Sequence, residues 1–229
     1  MPYSLRTTRK ISALLYTGTV KTIIFDFDGT LVDSFKVAIE VAHELTHRPI
    51  LVQPEEIVRL RKLRLLDVAK ELKLPRWQWP ILIIRGRRRM TKRLDEVEPF
   101  ADMPIVVQDL HAAGYKMLVM SSNSLENVQR VLDKRSLSQY FSHIKGGIGL
   151  LGKSKGLREL IKQQNLVLED CIYIGDEPRD IEGSRKVGMP CISVTWGFNA
   201  PELLQDHNPL AIVDTPQQLR SELKKWGGV

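Results

Sequence analysis

Asp26 and Asp28 stand one residue apart, directly after the apolar run Ile23-Ile24-Phe25 and directly before Gly29-Thr30. Two carboxylates this close repel each other unless a cation or a shared proton intervenes. The pair therefore points to a divalent cation, a carboxylate nucleophile, or both. Taken alone, such a motif equally describes an Asp-rich turn. Other polar clusters also follow short apolar runs. Ser121-Ser122-Asn123 follows Met117 to Met120, and Gly175-Asp176 follows Cys171 to Ile174. Asp180 lies one helical turn beyond Asp176, and Lys153 comes after the glycine-rich stretch Gly146 to Gly152. Singly, each has a blander reading: a helix cap, a turn, a helix-face acid paired with Arg179 or Arg185, a solvated lysine. Together they supply carboxylates, a hydroxyl with turn amides, and an ammonium. That set can hold Mg²⁺, which takes hard oxygen ligands, beside a phosphate, which takes N–H groups and a cation.

The elements that must position these residues alternate. Short β-rich runs are expected at Ile23–Phe25, Met117–Met120, Cys171–Ile174, Cys191–Val194 and Leu210–Val213. Helical spacing is expected at 105–113, 125–132, 154–164, 181–187 and 216–226. Alternating strands and helices imply an α/β fold, a doubly wound parallel sheet with helices on both faces. Ligands in such sheets bind at the carboxyl ends of the strands, where the polar clusters sit. Residues 34–98 break the rhythm: they read as helices only, with one run from Glu55 to Leu74 and another from Ile81 to Val97. The expected organisation is a catalytic core of residues 1–33 and 99–229, interrupted by a small helical cap at 34–98.

Charge marks the same segment. From Ser34 to Glu98 there are 15 Lys/Arg against 9 Asp/Glu, so nearly all of the net +7 of the 229-residue chain lies there. No apolar run approaches the ~18–20 residues needed to span a membrane. Residues 1–20 read as an N-terminal extension rather than a removed leader, and Cys171 and Cys191, inside expected strands, as reduced and buried thiols. A cytoplasmic protein is expected.

In four ordered stretches, DFDGTLVDS, VMSSN, GKSKGLREL and GDEPRD, the chain resembles the haloacid dehalogenase-like superfamily, particularly its phosphoglycolate phosphatase-like branch with a small helical cap. The resemblance runs from Val20 to the C-terminus, where VTWGFN is similar to that branch's terminal segment. It implies a Mg²⁺-dependent phosphatase working through an aspartyl-phosphate. Asp26 would be the nucleophile and Asp28 the general acid, then base. Ser121 would hold the phosphoryl group with the following amides, and Lys153, preferred to Lys155, would bridge it to Asp26. Thr30, Ser122 and Asn123 would bind substrate. Asp26, Asp28 (through its backbone carbonyl), Asp176 and Asp180 would hold the metal. Glu177 stands where a small hydroxyl residue is common, and Ser154 follows the lysine where Pro is frequent.

The substrate expected is a small anionic phosphorylated compound, phosphoglycolate-like or another metabolite, chosen by the basic insert. Some of Arg59, Arg61, Arg64, Arg85 and Arg87 to Arg89 would reach a second anionic group, or the run is a solvated face that only steers anions. A monomer or homodimer without nucleic-acid or membrane partners is expected. The alternatives are a nucleic-acid-associated phosphatase or binding protein using the basic cap, a phosphosugar mutase, and a catalytically idle scaffold.

Overall fold

The computed structural model describes residues 21–48, 53–149 and 152–227. The N-terminal extension expected at 1–20 and part of the glycine-rich stretch before Lys153 lie outside the described residues.

In chain order the elements are β1 (Thr22–Phe25), β2 (Val32–Asp33), α1 (Phe35–Thr46), α2 (Pro54–Leu60), α3 (Leu65–Glu71), α4 (Trp79–Lys92) and β3 (Glu98–Pro99). They continue with α5 (Met103–Ala112), β4 (Lys116–Met120), α6 (Leu125–Lys134), β5 (His143–Lys145), α7 (Lys153–Gln163) and β6 (Cys171–Gly175). The last are α8 (Pro178–Arg185), β7 (Cys191–Val194), α9 (Pro201–Asp206), β8 (Ala211–Val213) and α10 (Pro216–Gly227).

Among the described residues six strands form one sheet in the order β5-β4-β1-β6-β7-β8, every neighbouring pair parallel. β1 lies between β4 and β6, with Phe25 level with Val119 on one side and Ile174 on the other. The strand order reverses at β1, so its tip is the switch point where an open α/β sheet binds ligands. The period-2 alternation of side chains explains why these strands read as continuous apolar runs. Ile23 and Phe25 face one buried cluster with Met117, Val119 and Ile174. Ile24 faces the other with Leu118, Met120 and Tyr173. With both faces covered, a one-residue slip of β1 would exchange its two apolar sets and move Asp26 off the tip.

Between β2 and β3, which pair antiparallel at Val32–Pro99 and Asp33–Glu98, the described elements are all helical. α1 packs along α4. The helix expected from Glu55 to Leu74 is instead α2 and α3, broken at Arg61 to Arg64. Tertiary contacts explain the break, because backbone carbonyls a continuous helix would use internally are taken from outside. The Ala200 N–H donates to the Arg61 carbonyl at 2.9 Å, and Asn199 Nδ2 donates to the carbonyls of Arg61 and Leu63, each at 3.0 Å. The helix expected to reach Val97 ends at Lys92, and a single 3₁₀ turn at Leu94–Glu96 follows. β5 and α9 were not expected. His-Ile-Lys is too short and polar to show as an apolar run, and α9 is six residues opening on Pro201.

Several of the basic residues of this segment are engaged. Arg59 pairs with Glu56 and Glu71, Arg64 with Glu182 and His207, Arg89 with Glu44, and Arg93 with Glu40 and Glu96. These pairs are largely exposed, worth little individually, but they hold the arginines along the helices. Arg85, Arg87 and Arg88 face solvent.

Candidate active site

Asp26 follows β1 directly, and its N–H donates to the Ile174 carbonyl at 2.8 Å, extending the sheet pairing by one residue. Its Oδ1 accepts from the Phe27 N–H at 2.9 Å, which orients the carboxylate. Burial pushes its carboxyl up to about 7, against the downward pull of Lys153 and with an upward push from Asp180.

Lys153 opens α7 and is buried, whereas Lys155 faces solvent. Its Nζ lies 2.7 Å from Asp26 Oδ2 and 2.8 Å from Asp180 Oδ1. Both oxygens are buried without an aligned hydrogen bond, so the ammonium serves them through charge. Its aligned bond goes to Tyr173 Oη, at 2.7 Å. Burial acts to lower the lysine's pKa, but Asp180 and Asp26 outweigh it and the net direction is upward. α7 reaches this position because α8 carries Gly183 at the crossing; a Cβ there would come within 2.6 Å of the Lys153 Cβ.

Asp176, the first residue after β6, is fully buried. Its Oδ1 accepts from Thr30 Oγ1 at 2.9 Å and its Oδ2 from the Phe198 N–H at 2.7 Å. Burial raises its pKa well above the usual range, with Glu177, Asp180 and Asp26 adding to the effect. Gly29, at φ +79°, lets the β1 loop pass against this carboxylate; a Cβ there would lie 2.2 Å from Asp176 Oδ2. Asp180 Oδ2 accepts from the Glu177 N–H at 3.0 Å, so Glu177 and Asp180 form the capping box of α8. That gives Glu177 a local role at the helix start. Asp180 therefore caps a helix with one oxygen and faces Lys153 with the other.

The carboxylates of Asp26, Asp176 and Asp180 offer ligand atoms all within 4.8 Å of one another. Ionised, the three acids against one ammonium would leave two negative charges in a buried place, and one divalent cation would favour that ionised form and bring the group to neutrality. The donors are all carboxylate oxygens, which suits a hard cation such as Mg²⁺. The residues fit the group.

Asp28 points elsewhere: its carboxylate stands outside that triangle, with Ser121 Oγ 3.5 Å from its Oδ2, and burial raises its pKa. Ser121 directly follows β4, is fully buried, and its Oγ accepts from the Asn123 N–H at 2.9 Å, a turn that folds the following residues around the hydroxyl. The Asn123 side chain accepts from Ser124 N–H and Asn127 Nδ2. Ser122, between them, is half-buried. The Thr30 hydroxyl is spent on Asp176 and is fully buried, so its contact is with that carboxylate. Of the residues singled out from sequence, Asp26, Lys153, Asp176 and Asp180 meet directly, Thr30 braces them, and Asp28 and Ser121 face each other.

A profile of the haloacid dehalogenase-like hydrolases matches residues 23–194. The chain belongs to this family. It is 30% identical over 204 residues to the phosphoglycolate phosphatase of Synechococcus elongatus, covering 87% of this chain and 95% of that one. It is 26% identical over 196 residues to the 5′-nucleotidase of Pseudomonas aeruginosa, covering 82% and 88%. A solved structure of a predicted phosphatase from Clostridium acetobutylicum superposes with a TM-score of 0.77 at 21% identity, covering 90% of this chain and 99% of that one. This haloacid dehalogenase-like hydrolase thus shares its fold with known members over most of its length. No helix among its described residues is long and apolar enough to cross a membrane.

Three contributors carry little signal of a site role in the sequence. Tyr173 reads as one more apolar residue of a buried strand. Arg179 reads as a helix-face partner for Asp180; it is a mostly buried guanidinium paired with Glu177, with Nε and Nη1 buried and unpartnered. The Trp196-Gly197-Phe198 segment carries the terminal resemblance but no role in the sequence. It supplies the Phe198 N–H to Asp176, and Trp196 Nε1 donates to the Thr30 carbonyl at 3.1 Å. A glycine between two aromatics was the available sign of a close backbone approach.

Proposed function

We propose that this hydrolase is a phosphomonoesterase that uses Mg²⁺ and a covalent aspartyl-phosphate on Asp26. The observation that carries the reading is the buried Asp26 carboxylate, at the switch point of the sheet, with the Lys153 ammonium 2.7 Å away and two further carboxylates beside it. The similarity to a phosphoglycolate phosphatase and a 5′-nucleotidase, both named for phosphoester substrates, supports it.

In the first half-reaction an Asp26 oxygen attacks phosphorus and forms a P–O bond. The bond to the leaving oxygen breaks, and Asp28 gives that oxygen its proton, releasing the alcohol. In the second half Asp28, now ionised, takes a proton from water as the water oxygen attacks phosphorus. The Asp26–phosphorus bond breaks, inorganic phosphate leaves, and both carboxyl groups return to their starting states. The raised pKa of Asp28 favours the protonated start that this sequence needs. Ser121 Oγ and the Ser122 N–H donate to the phosphoryl oxygens, the Asn123 N–H being held by Ser121 Oγ, and Lys153 offsets charge between phosphate and Asp26. Asp26, Asp176, Asp180 and the Asp28 carbonyl would hold Mg²⁺, which supplies charge stabilisation for the transferring phosphoryl group when bound.

Residues 34–98 act in this reading as a cap over the strand tips, contributing the surroundings of the leaving group, while residues 21–33 and 99–227 supply the chemistry. The test is phosphate release from a panel of phosphorylated metabolites with and without Mg²⁺. Turnover that needs Mg²⁺ and disappears in Asp26→Asn is expected; turnover indifferent to both would overturn the reading.

A further inference from the structure

A cavity of about 380 Å³ runs between α1, α3 and α4, within the range of small-molecule sites. On the core side it is bordered by Phe35, Glu177 and Phe198. Those three place it next to the chemistry. Glu177 follows Asp176 in the chain, the Phe198 N–H is bonded to Asp176, and Phe35 packs edge-on against Phe198 with ring centroids 5.2 Å apart.

Apart from a few polar side chains the lining is apolar, and those side chains are already engaged. Thr46 Oγ1 donates to the Ala42 carbonyl at 2.7 Å, and Glu177 pairs with Arg179. Asn199 Nδ2 is held by the carbonyls of Arg61 and Leu63. Arg61, the one cation among the described residues of the lining, donates to the carbonyls of Thr195, Gly197 and Phe198 at 3.1, 2.6 and 3.3 Å, and its guanidinium sits over the Phe35 ring. Among the described residues that line the cavity, no cation is left to meet a second acidic group. Leu65, Leu66 and Ile83 also line the cavity and are 52%, 49% and 40% exposed, an apolar surface left facing water.

We infer that the physiological leaving group is an alcohol with an apolar body, seated in this cavity while its phosphate lies at Asp26. The inference rests on the phosphomonoesterase reading and narrows it: the substrate is a phosphomonoester of an alkyl or aryl alcohol rather than of a small hydroxy acid. Each methylene that leaves water for the cavity adds about 0.8 kcal/mol of binding, about fourfold in kcat/KM when the gain persists in the transition state.

The test compares methyl, butyl, hexyl and octyl phosphate with phosphoglycolate, all with Mg²⁺ and the full chain. The expected result is a kcat/KM that climbs steeply along the alkyl series, passes that of phosphoglycolate, and levels off when the cavity is full. Titration calorimetry with octylphosphonate against methylphosphonate should show the same order in binding. Ala69→Trp, which fills the cavity from α3, should cut the octyl-to-methyl ratio about tenfold or more, with circular dichroism checking the fold. Turnover of phosphoglycolate with a flat or falling alkyl series would overturn the inference and leave the phosphatase reading standing. If no phosphate ester were hydrolysed, both would fall. Should Ala69→Trp not fold, the wild-type series and the phosphonate titration decide.

Discussion

Tyr173 Oη receives the aligned hydrogen bond of the Lys153 ammonium at 2.7 Å, deep in the sheet and completely buried. The ammonium thereby has three neighbours, Asp26, Asp180 and Tyr173, and Tyr173 is the one fixed by a rigid strand. Burial, reinforced by the charges of Asp26 and Asp180, keeps the phenol protonated by raising its pKa well above the usual value.

Tyr173→Phe keeps the ring and removes only that acceptor. A buried donor left unpaired costs about 1–3 kcal/mol. The expected outcome is a kcat about tenfold lower or more, with KM changed less, because Lys153 is displaced from Asp26 rather than from substrate. Steady-state kinetics alongside circular dichroism checks this, and a kcat within twofold (an about 0.4 kcal/mol effect) would deny Tyr173 a positioning role.

Arg179 offers a second test. Its guanidinium is anchored by Glu177, and the buried Nε and Nη1 groups lie where Asp26 feels the charge. Unpaired buried N–H groups of a cation are costly, so an oxygen of the phosphoryl group at Asp26 would relieve them. Arg179→Met is expected to raise KM about tenfold, the scale of one charge-assisted hydrogen bond. Arg179→Lys should recover only part, since an ammonium lacks the planar fork. An unchanged KM in Arg179→Met would remove this residue from substrate binding.

How much of this was legible beforehand follows from where the forces act. Asp26, Ser121 and Asp176 were readable because each ends an apolar strand, and strand tips are set by local patterning. Lys153 was distinguishable from Lys155 by its place where a loop meets a helix. Tyr173 was not, because a buried tyrosine in a strand looks like core until its hydroxyl is seen to meet a buried cation. The break at Arg61 to Arg64 was equally hidden: helical periodicity continues through it, and only the loop at 195–200 supplies the competing hydrogen bonds. Arg61 reads from sequence as a candidate anion contact and instead donates to backbone carbonyls, a choice that composition cannot express.

That seam gives a stability prediction. Arg61 joins the α2–α3 connection to the segment whose Phe198 N–H holds Asp176. Its three contacts are partly exposed, so about 2 kcal/mol for all of them is a suitable scale. Arg61→Ala should lower Tm by about 5 °C for a chain of this size, read by differential scanning calorimetry. Arg61→Lys should restore less than half, and a Tm unchanged in Arg61→Ala would mean the seam carries no net stability.

The two cysteines give a pH prediction. Both thiols are free and buried. Burial pushes Cys171 up to about 11, with Asp170 adding to it, and burial raises Cys191 further. The folded state thus holds protons that the unfolded thiols release near their ordinary pKa of about 8.5. This contribution to stability is fully present below about 8.5 and is lost as pH rises toward about 11. At about pH 8 neither thiol should react with dithiodipyridine until the chain unfolds. Rapid reaction of a native thiol would contradict the burial of that strand.

The covalent step on Asp26 is tested most directly by trapping. Enzyme mixed with substrate and Mg²⁺ is quenched in acid within a turnover and reduced with borohydride, which converts an aspartyl-phosphate to homoserine; peptide mass spectrometry then locates the change. The account predicts homoserine at position 26 and at no other aspartate. Modification at Asp28 or Asp176, or an unmodified chain from an enzyme that is turning over, would contradict it.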